Sequence, residues 1–536
     1  MHFAHLGLRA AVLIVAASSM SFVAACSHHH EAVTTYHYDN LRTGWNSHET
    51  RLTPAKVSGP EFGLLHSLTL DDEVDAQPLL VPDVDIKGGS WPGKHDVVYV
   101  ATEGDTVYAI DARNGAVLLS PNFGLPVQMP QGCNNNGPNV GINGTPVIDR
   151  ASDTMYVIIY TLEAAGPIYR IHALDLRTLK DKVAPVEVKA TTGGYNFNPA
   201  WQRQRPGLVL ANGNVYAGFG SFCDFGGTDS RGWLLGWQTG TLTPLAASQL
   251  NDLDTTAPNN AAHRFLASVW MSGYGVAADA GGNLYFVTGN SDSNYNNPNS
   301  IQESVVQESP DLSSIKQLFT PANEGSLDGG DWDFGSGGAM LLPDQPGSTP
   351  HLAAAAGKDG RMFIVNRDPG AMGGYNGPVG PDKVVGMVNI GGCWCGQSYF
   401  VGSDGVGRIV SSGGSTVTVW KIQTSPSVSL INESSSPSIG GTQDPGFFTS
   451  VSSHGHDDSI IWALSRPNDA LPANITLYAF KAQSGGATLT TLFQATAGAW
   501  PSFNGVLGRN SNLVPVVANG RVYVASYKQL TIFGLH

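Results

Sequence analysis

The chain has 536 residues, of which 13% are charged, with 65 glycines, 32 prolines and a formal net charge of −14. This negative charge argues against nucleic acid or an anionic membrane surface as a partner. Few charges and many turn-forming residues are typical of short strands joined by tight turns, and they argue against a mainly helical protein. The composition therefore favours an all-β chain.

The N-terminus has the features of an export signal. A short, weakly basic start is followed by an apolar stretch, residues 10–23, which is too short for a comfortable membrane span. Small residues stand directly before Cys26, as in a bacterial lipobox. We predict a lipoprotein signal peptide over residues 1–25, acylation of Cys26, and a tether over residues 26–35. An ordinary signal peptide cut at the same small residues is the alternative.

After the tether, pairs of β-rich runs recur at intervals of roughly 40 to 70 residues, a spacing that suits four-stranded propeller blades. Each pair reads as two alternating strands joined by a turn. The runs lie at 98–101 and 107–111, 155–157 and 171–175, 215–217 and 233–237, 284–287, 352–356 and 362–365, 409–410 and 417–420, 460–464 and 477–480, and 522–525 and 530–533.

Eight copies predict one domain over residues 36–536, an eight-bladed β-propeller of four-stranded antiparallel blades. The last copy runs almost to His536, so its blade lacks an outer strand. The strand-like run at residues 62–70 could supply that strand and close the ring, which would remove exposed sheet edges. An open repeat array and two packed sandwiches are the alternatives.

Four cysteines follow Cys26. Export would place them in an oxidising compartment, where disulfides form, but the sequence leaves their pairing open. The pair in Cys393-Trp394-Cys395 lacks the spacing of a usual zinc site.

The repeats and the opening stretch YHYDNLRTGWN at residues 36–46 resemble the quinoprotein alcohol dehydrogenase-like superfamily of eight-bladed propellers. This superfamily includes dehydrogenases that use pyrroloquinoline quinone (PQQ), and it also includes non-catalytic members, such as an outer-membrane assembly lipoprotein. The resemblance covers roughly residues 36–536 and carries the fold more strongly than an activity.

Four segments match the dehydrogenase pattern in order. The resemblance makes Asp224 and Asn290 calcium ligands, Asp333 both a ligand and the base that takes the alcohol proton, and Lys358 the contact to the quinone. Gly335 stands where lanthanide-using members carry another aspartate, so the resemblance implies calcium.

Two departures weaken this match. The chain has no pair of adjacent cysteines to stack on the quinone, and the stacking tryptophan aligns near Gly273, with Trp270 and Tyr274 as neighbours that could bind the cofactor. Taken one by one, the four matching residues also fit ordinary turns.

The sequence therefore predicts a cell-envelope lipoprotein, facing the periplasm or the exterior, that is a PQQ- and calcium-dependent dehydrogenase of an alcohol or a sugar. The alternative is a non-catalytic propeller scaffold that binds envelope proteins, for example along a blade edge. A polymer-binding propeller ranks third. We expect a monomer that contacts the membrane only through its lipid anchor and does not bind nucleic acid.

Overall fold

The computed structural model describes residues 1, 30–133, 137–223, 226–251, 263–291, 294–441, 444–467, 473–500 and 511–536. Glu31–His536 form one compact unit, and Met1–His30 form a separate one. The compact unit thus begins within the segment predicted as a tether. The predicted signal peptide, Cys26 and Asp224 lie outside the described residues. No helix in the described ranges is long and apolar enough to cross a membrane.

Eight mainly antiparallel sheets form a ring, which confirms the predicted eight-bladed propeller. In chain order the strands of blades 1 to 4 are Leu79–Ile86, Gly93–Ala101, Val107–Asp111 and Val117–Leu119; Val147–Asp149, Thr154–Glu163, Gly166–Asp175 and Val186–Glu187; Gln202–Arg203, Val209–Ala211, Asn214–Ser221, Trp233–Gln238 and Gln249–Leu250; and Ala277–Ala278, Leu284–Val287, Val305–Glu308 and Ile315–Phe319. In blade 3, the first two of these strands both pair with Asn214–Ser221.

The strands of blades 5 to 8 are Ala339–Leu341, Leu352–Ala356, Arg361–Asn366 and Gly386–Asn389; Ser398–Val401, Gly407–Ser411, Thr418–Gln423 and Ser429–Ser435; Thr449–His454, Asp457–Leu464, Ala473–Lys481 and Thr490–Trp500; and Val516–Ala518, Arg521–Leu535 and Phe62–Glu73. Trp45–Asn46 adds in parallel to the first strand of blade 7.

The remaining elements are short and lie between or beside the blades. Three further two-stranded ladders join Val127–Gln128 to Asn139–Val140, Thr191–Thr192 to Tyr195–Asn196, and Gly226–Arg231 to His263–Leu266. The helices are Pro54–Val57 and Glu324–Gly330, with 3₁₀ turns at Pro130–Gly132, Met271–Gly273 and Phe334–Ser336.

The hydrophobic core is a ring of clusters between neighbouring blades. One cluster joins blades 1 and 2, another joins blades 2 and 3, a larger one runs through blades 3 to 6, and others join blades 6 and 7, 7 and 8, and 8 and 1. Second strands such as Leu352–Ala356 are buried along their whole length because both faces of each sheet pack on a neighbour. Each blade therefore buries its two faces against the two neighbouring blades.

The ring closes as the sequence predicted. The N-terminal strand Phe62–Glu73 pairs antiparallel with the C-terminal strand Arg521–Leu535, with Phe62 opposite Leu535 and Leu68 opposite Leu530. Val516–Ala518 pairs with the first residues of that C-terminal strand, so the last blade is assembled from both ends of the domain.

Residues 33–46, here called the axial segment, contact the innermost strands of the ring. Val33 pairs with Leu80 of blade 1, and the carbonyl of Thr34 accepts a hydrogen bond from Ile148 of blade 2. Carbonyls of residues 40, 41, 43 and 44 accept backbone hydrogen bonds from the first strands of blades 4, 5, 6 and 7.

Side chains of the axial segment complete these contacts at the other two blades. Asn40 Nδ2 donates to Leu210 O of blade 3 at 2.9 Å, and Asn46 Nδ2 donates to Val517 O of blade 8 at 2.9 Å. All eight blades are thereby joined to one stretch of chain. No pattern in the sequence predicts this arrangement.

Two disulfides settle the pairing that the sequence left open. Cys133 is bonded to Cys223, which ties the loop before blade 2 to the loop after the blade 3 strand Asn214–Ser221. Cys393 is bonded to Cys395, directly before blade 6.

Candidate functional site

One end of the ring collects the predicted site residues. First and second strands of a blade are antiparallel, so the loop entering the first strand and the loop leaving the second lie at the same end. Asn290 follows the second strand of blade 4, Asp333 precedes the first strand of blade 5, and Lys358 follows the second strand of blade 5. We call this end of the ring the mouth.

The structure brings Asn290, Asp333 and Lys358 into direct contact. The Asn290 N–H donates to Asp333 Oδ1 at 3.0 Å, and Lys358 Nζ lies 2.5 Å from Asp333 Oδ2. The Lys358 N–H also donates to the carbonyl of Asp333 at 3.0 Å. The Asp333 carboxylate is thus held at both oxygens and is almost fully buried, at 1% exposure.

Glycines let these loops approach one another. A Cβ on Gly289 would lie 2.7 Å from Asp333 Oδ1 and 3.1 Å from Trp270 Nε1, so the carboxylate and the indole both pack against this bare backbone. A Cβ on Gly335 would lie 2.5 Å from the nitrogen of Gly289. Position 335 therefore has no room for an aspartate side chain, the residue expected there in a lanthanide-using protein.

Lys358 is shared by two carboxylates. Its Nζ also lies 2.8 Å from Asp331 Oδ1 and donates to the Asp331 carbonyl at 3.0 Å. Burial lowers the pKa of Lys358, but Asp333 and Asp331 together outweigh that effect, so its pKa is raised and the ammonium stays charged. Burial raises the pKa of Asp331, and Lys358 opposes that rise.

Two buried acids that were not predicted from the sequence accept hydrogen bonds from the backbone of the site loops. Glu303 Oε2 accepts the Phe334 N–H at 2.5 Å, and Asp328 Oδ1 accepts the Ser291 N–H at 3.0 Å. Burial raises the pKa of Glu303 well above its usual range and that of Asp328 to about 8. Neither residue belongs to a recognisable motif, so no sequence signal separated them from ordinary loop acids.

Aromatic side chains surround the Lys358 ammonium. Its nitrogen lies 5.9 Å from the Trp270 ring centroid and 5.2 Å from that of Trp394. The structure places Tyr274 elsewhere, in the core below the mouth, where its hydroxyl donates to Arg42 O at 2.7 Å and Gln397 O at 3.1 Å. Trp270 therefore lies beside the candidate site, whereas the Tyr274 side chain is committed to the axial segment.

A second polar network lies at the mouth between blades 1 and 3. Arg205 Nη2 lies 3.1 Å from Asp75 Oδ1, and Asn143 Nδ2 donates to the other oxygen of Asp75 at 3.0 Å. Asn143 also bonds Glu103, whose pKa is raised by burial and by the neighbouring Asp75. These residues are buried, and the sequence analysis did not single them out.

Several alcohol dehydrogenases are among the solved structures that are similar to this chain. The chain superposes on the quinohemoprotein alcohol dehydrogenase from Comamonas testosteroni with a TM-score of 0.55 at 15% identity, covering 94% of this chain and 80% of that one. A quinohemoprotein alcohol dehydrogenase from Pseudomonas putida HK5 gives 0.60 at 14% identity, with the same coverage. A europium-containing methanol dehydrogenase gives 0.58 at 13% identity, covering 94% and 98%.

The chain shares its fold with these dehydrogenases. At these identities the likeness establishes architecture, not activity. No protein-family model and no curated protein matches the sequence. The resemblance inferred from the repeats is thereby confirmed at the level of the fold.

Within this propeller, the oxygens at the mouth suit a hard cation in part. Asn290 Oδ1 and Glu303 Oε1 are buried and have no hydrogen-bond partner among the described residues. Amide and carboxylate oxygens are the ligands that calcium prefers. However, no three His, Cys, Asp or Glu side chains in the described part of the chain are grouped to hold a metal by themselves. A calcium ion here would need Asn290 and further oxygens.

Proposed function

We propose that the protein is a PQQ- and calcium-dependent dehydrogenase that oxidises an alcohol or a sugar. One observation carries the proposal. Asn290 and Lys358, which lie in two other loops, both contact the buried carboxylate of Asp333 at the mouth. A carboxylate, an unpaired amide oxygen and a charged lysine in contact are the groups that such a reaction requires.

Asp333 is the residue that takes the proton of the substrate hydroxyl. The Asn290 N–H orients one carboxylate oxygen, and Lys358 holds the other. When bound, PQQ would accept the hydride and calcium would polarise its carbonyl. For Asp333 to receive a proton, its oxygen must exchange the contact with Lys358 for one with the substrate.

Asn290 and Lys358 would bind the two cofactors. The buried Asn290 Oδ1 has a lone pair available for a cation, since no donor among the described residues occupies it. The Lys358 ammonium would contact the quinone oxygens, and the flanking indole of Trp270 would cover a flat ring. Asp224, outside the described residues, remains a proposed third ligand.

We further propose that the protein works in the bacterial cell envelope as a monomer anchored through acylated Cys26. The two disulfides support an oxidising compartment, since such bonds are rare in the cytosol.

The test is a calorimetric titration of the purified protein with PQQ, in calcium chloride and again in excess EGTA. We expect one PQQ per chain in calcium and a loss of affinity in EGTA. The variant N290A should lose the calcium dependence, whereas N114A, which changes an exposed turn of blade 1, should bind as the wild type does. Absence of heat and of any absorbance change with PQQ contradicts the proposal.

A non-catalytic scaffold for envelope proteins is the second candidate, and one observation favours it. Both Asp333 oxygens already have partners within the protein, so the site is charge-paired without a cofactor. Under this alternative, PQQ does not bind, and affinity capture from envelope extracts recovers a protein partner that the unbound resin does not.

A further inference from the structure

Trp394 stands between two cysteines that are bonded to each other. The Cys393–Cys395 disulfide joins residues only two positions apart, with Cα atoms 4.8 Å apart, and both sulfurs are fully buried. Such a small ring leaves the backbone of the enclosed residue little freedom. The amide of Gln397 points toward both sulfurs, at 3.7 and 3.9 Å.

Hydrogen bonds fix the same residue from both sides. The Trp394 N–H donates to Pro445 O at 3.1 Å, and Arg466 Nη2 donates to the Trp394 carbonyl at 2.7 Å. Cys393 is tied to the candidate site itself, since its N–H donates to Gly357 O at 3.1 Å and its carbonyl accepts from Ser336 Oγ at 2.7 Å. The backbone of Trp394 is therefore held in place relative to Lys358.

Arg466 is buried at this position although it is charged. Burial lowers its pKa to about 9, against the opposing effect of Asp444. It also bonds the carbonyl of Gly446 and, at 3.0 Å, Asn512 Oδ1. A buried guanidinium is costly unless it is hydrogen-bonded, and here its bonds hold the loop that carries Trp394.

Trp394 itself is only half-buried, whereas the two cysteines beside it are fully buried. The Lys358 ammonium lies over this ring at 5.2 Å and over the Trp270 ring at 5.9 Å. Two indole faces are thus turned toward one ammonium beside the buried carboxylate. A rigid aromatic face that stays partly open is a stacking surface for another flat ring.

We propose that Trp394 is a stacking wall for a flat, carboxylated aromatic ligand bound over Lys358, and that the Cys393–Cys395 disulfide and Arg466 are its positioning groups. This proposal rests on the function proposed above, and PQQ is the probe. Trp394 lies more than 100 residues from Trp270 in the chain, and the packing of the consecutive blades 4, 5 and 6 brings both to Lys358.

The test measures PQQ affinity for the full chain in calcium by calorimetry and by quenching of tryptophan fluorescence. We expect W394A to bind at least about tenfold more weakly and W394F to stay within about threefold of the wild type, because stacking needs a ring but not an indole. W394F should also show less quenching at saturation, which a purely structural role would not produce. The matched control is W91A, an exposed tryptophan in blade 1.

The double variant C393A/C395A should weaken PQQ binding while leaving Trp394 present, and thermal unfolding of every variant checks that the ring is intact. Equal affinity of W394A and wild type overturns this inference and leaves the proposed function standing. A wild-type protein that does not bind PQQ overturns both.

Discussion

At the scale of single residues, Asp333 carries the proposed chemistry. D333N preserves the shape of the side chain and can still accept the Asn290 N–H, but an amide cannot take up the substrate proton. We expect turnover in a dye-linked dehydrogenase assay to fall by about 100-fold or more, the range for loss of a general base. PQQ affinity should change little.

D331N is the matched control, since Asp331 shares Lys358 but its side chain is largely exposed. It should retain most of the turnover. Equal activity of D333N and wild type would show that Asp333 is not the base.

Asp105 is a buried acid whose charge the fold disfavours. It is fully buried, and neither carboxylate oxygen has a hydrogen-bond partner among the described residues. Burial first, then Asp71 and Asp72, raise its pKa to about 9 from an ordinary value of 3.8. The carboxyl therefore stays protonated in the folded protein over a pH range in which it is already ionised in the unfolded chain.

This difference makes stability fall as pH rises from about 4 to about 9, because the unfolded state binds fewer protons there. D105N cannot ionise, so its stability should fall less over this range. The melting temperature of D105N minus that of the wild type should increase between pH 5 and pH 9. A constant difference would mean that Asp105 is already ionised in the folded protein.

Sequence motifs found Asn290, Asp333 and Lys358 because each keeps a short local pattern of glycine, aromatic and polar residues. Glu303 and Trp394 could not be found in this way. Glu303 differs from other loop acids only in its burial, which the sequence does not show. Trp394 is distinguished by the disulfide around it, and the sequence leaves the cysteine pairing open. Contacts between loops of different blades depend on ring geometry, which no local pattern encodes.

At the scale of elements, the axial segment holds the blades to a common centre. Arg42 is fully buried and donates to Val276 O at 2.9 and 2.6 Å and to Leu208 O at 3.0 Å, besides three acceptors within its own segment. Its loss would leave buried carbonyls without donors. We expect R42M to reduce the free energy of unfolding by on the order of 3–5 kcal/mol.

Urea titration measures this loss. R113M is the control, because Arg113 is 63% exposed and its ion pair with Asp96 at 3.0 Å should contribute less than about 1 kcal/mol. A midpoint for R42M equal to that of R113M would mean that the axial segment does not stabilise the ring.

The blades were predictable from sequence, and the axial segment was not. Strand pairs such as Gly93–Ala101 with Val107–Asp111 combine short runs of β-branched and aromatic residues with turn residues, which are local signals. Residues 33–46 have no hydrophobic periodicity. His37, Tyr38 and Arg42 have positive φ angles, which these residue types do not predict. Their order comes from the surrounding strands.

At the scale of the whole molecule, the order of the blades around the ring determines which loops meet at the mouth. The strand Phe62–Glu73 completes the last blade, and the inter-blade core clusters then run around the full circle. The packing of consecutive blades brings loops of blades 4, 5 and 6 together at Lys358, although these loops are separated by more than 100 residues in the chain. The sequence predicted the closing strand because the last repeat was visibly incomplete.

If this mouth is a cofactor site, a crystal structure of the protein grown with PQQ and calcium chloride should show it. We expect PQQ density at the mouth in contact with Lys358, and a cation bound by Asn290 Oδ1. Crystals grown with saturating PQQ and calcium that show only solvent beside Lys358, or that show PQQ bound elsewhere, would contradict it.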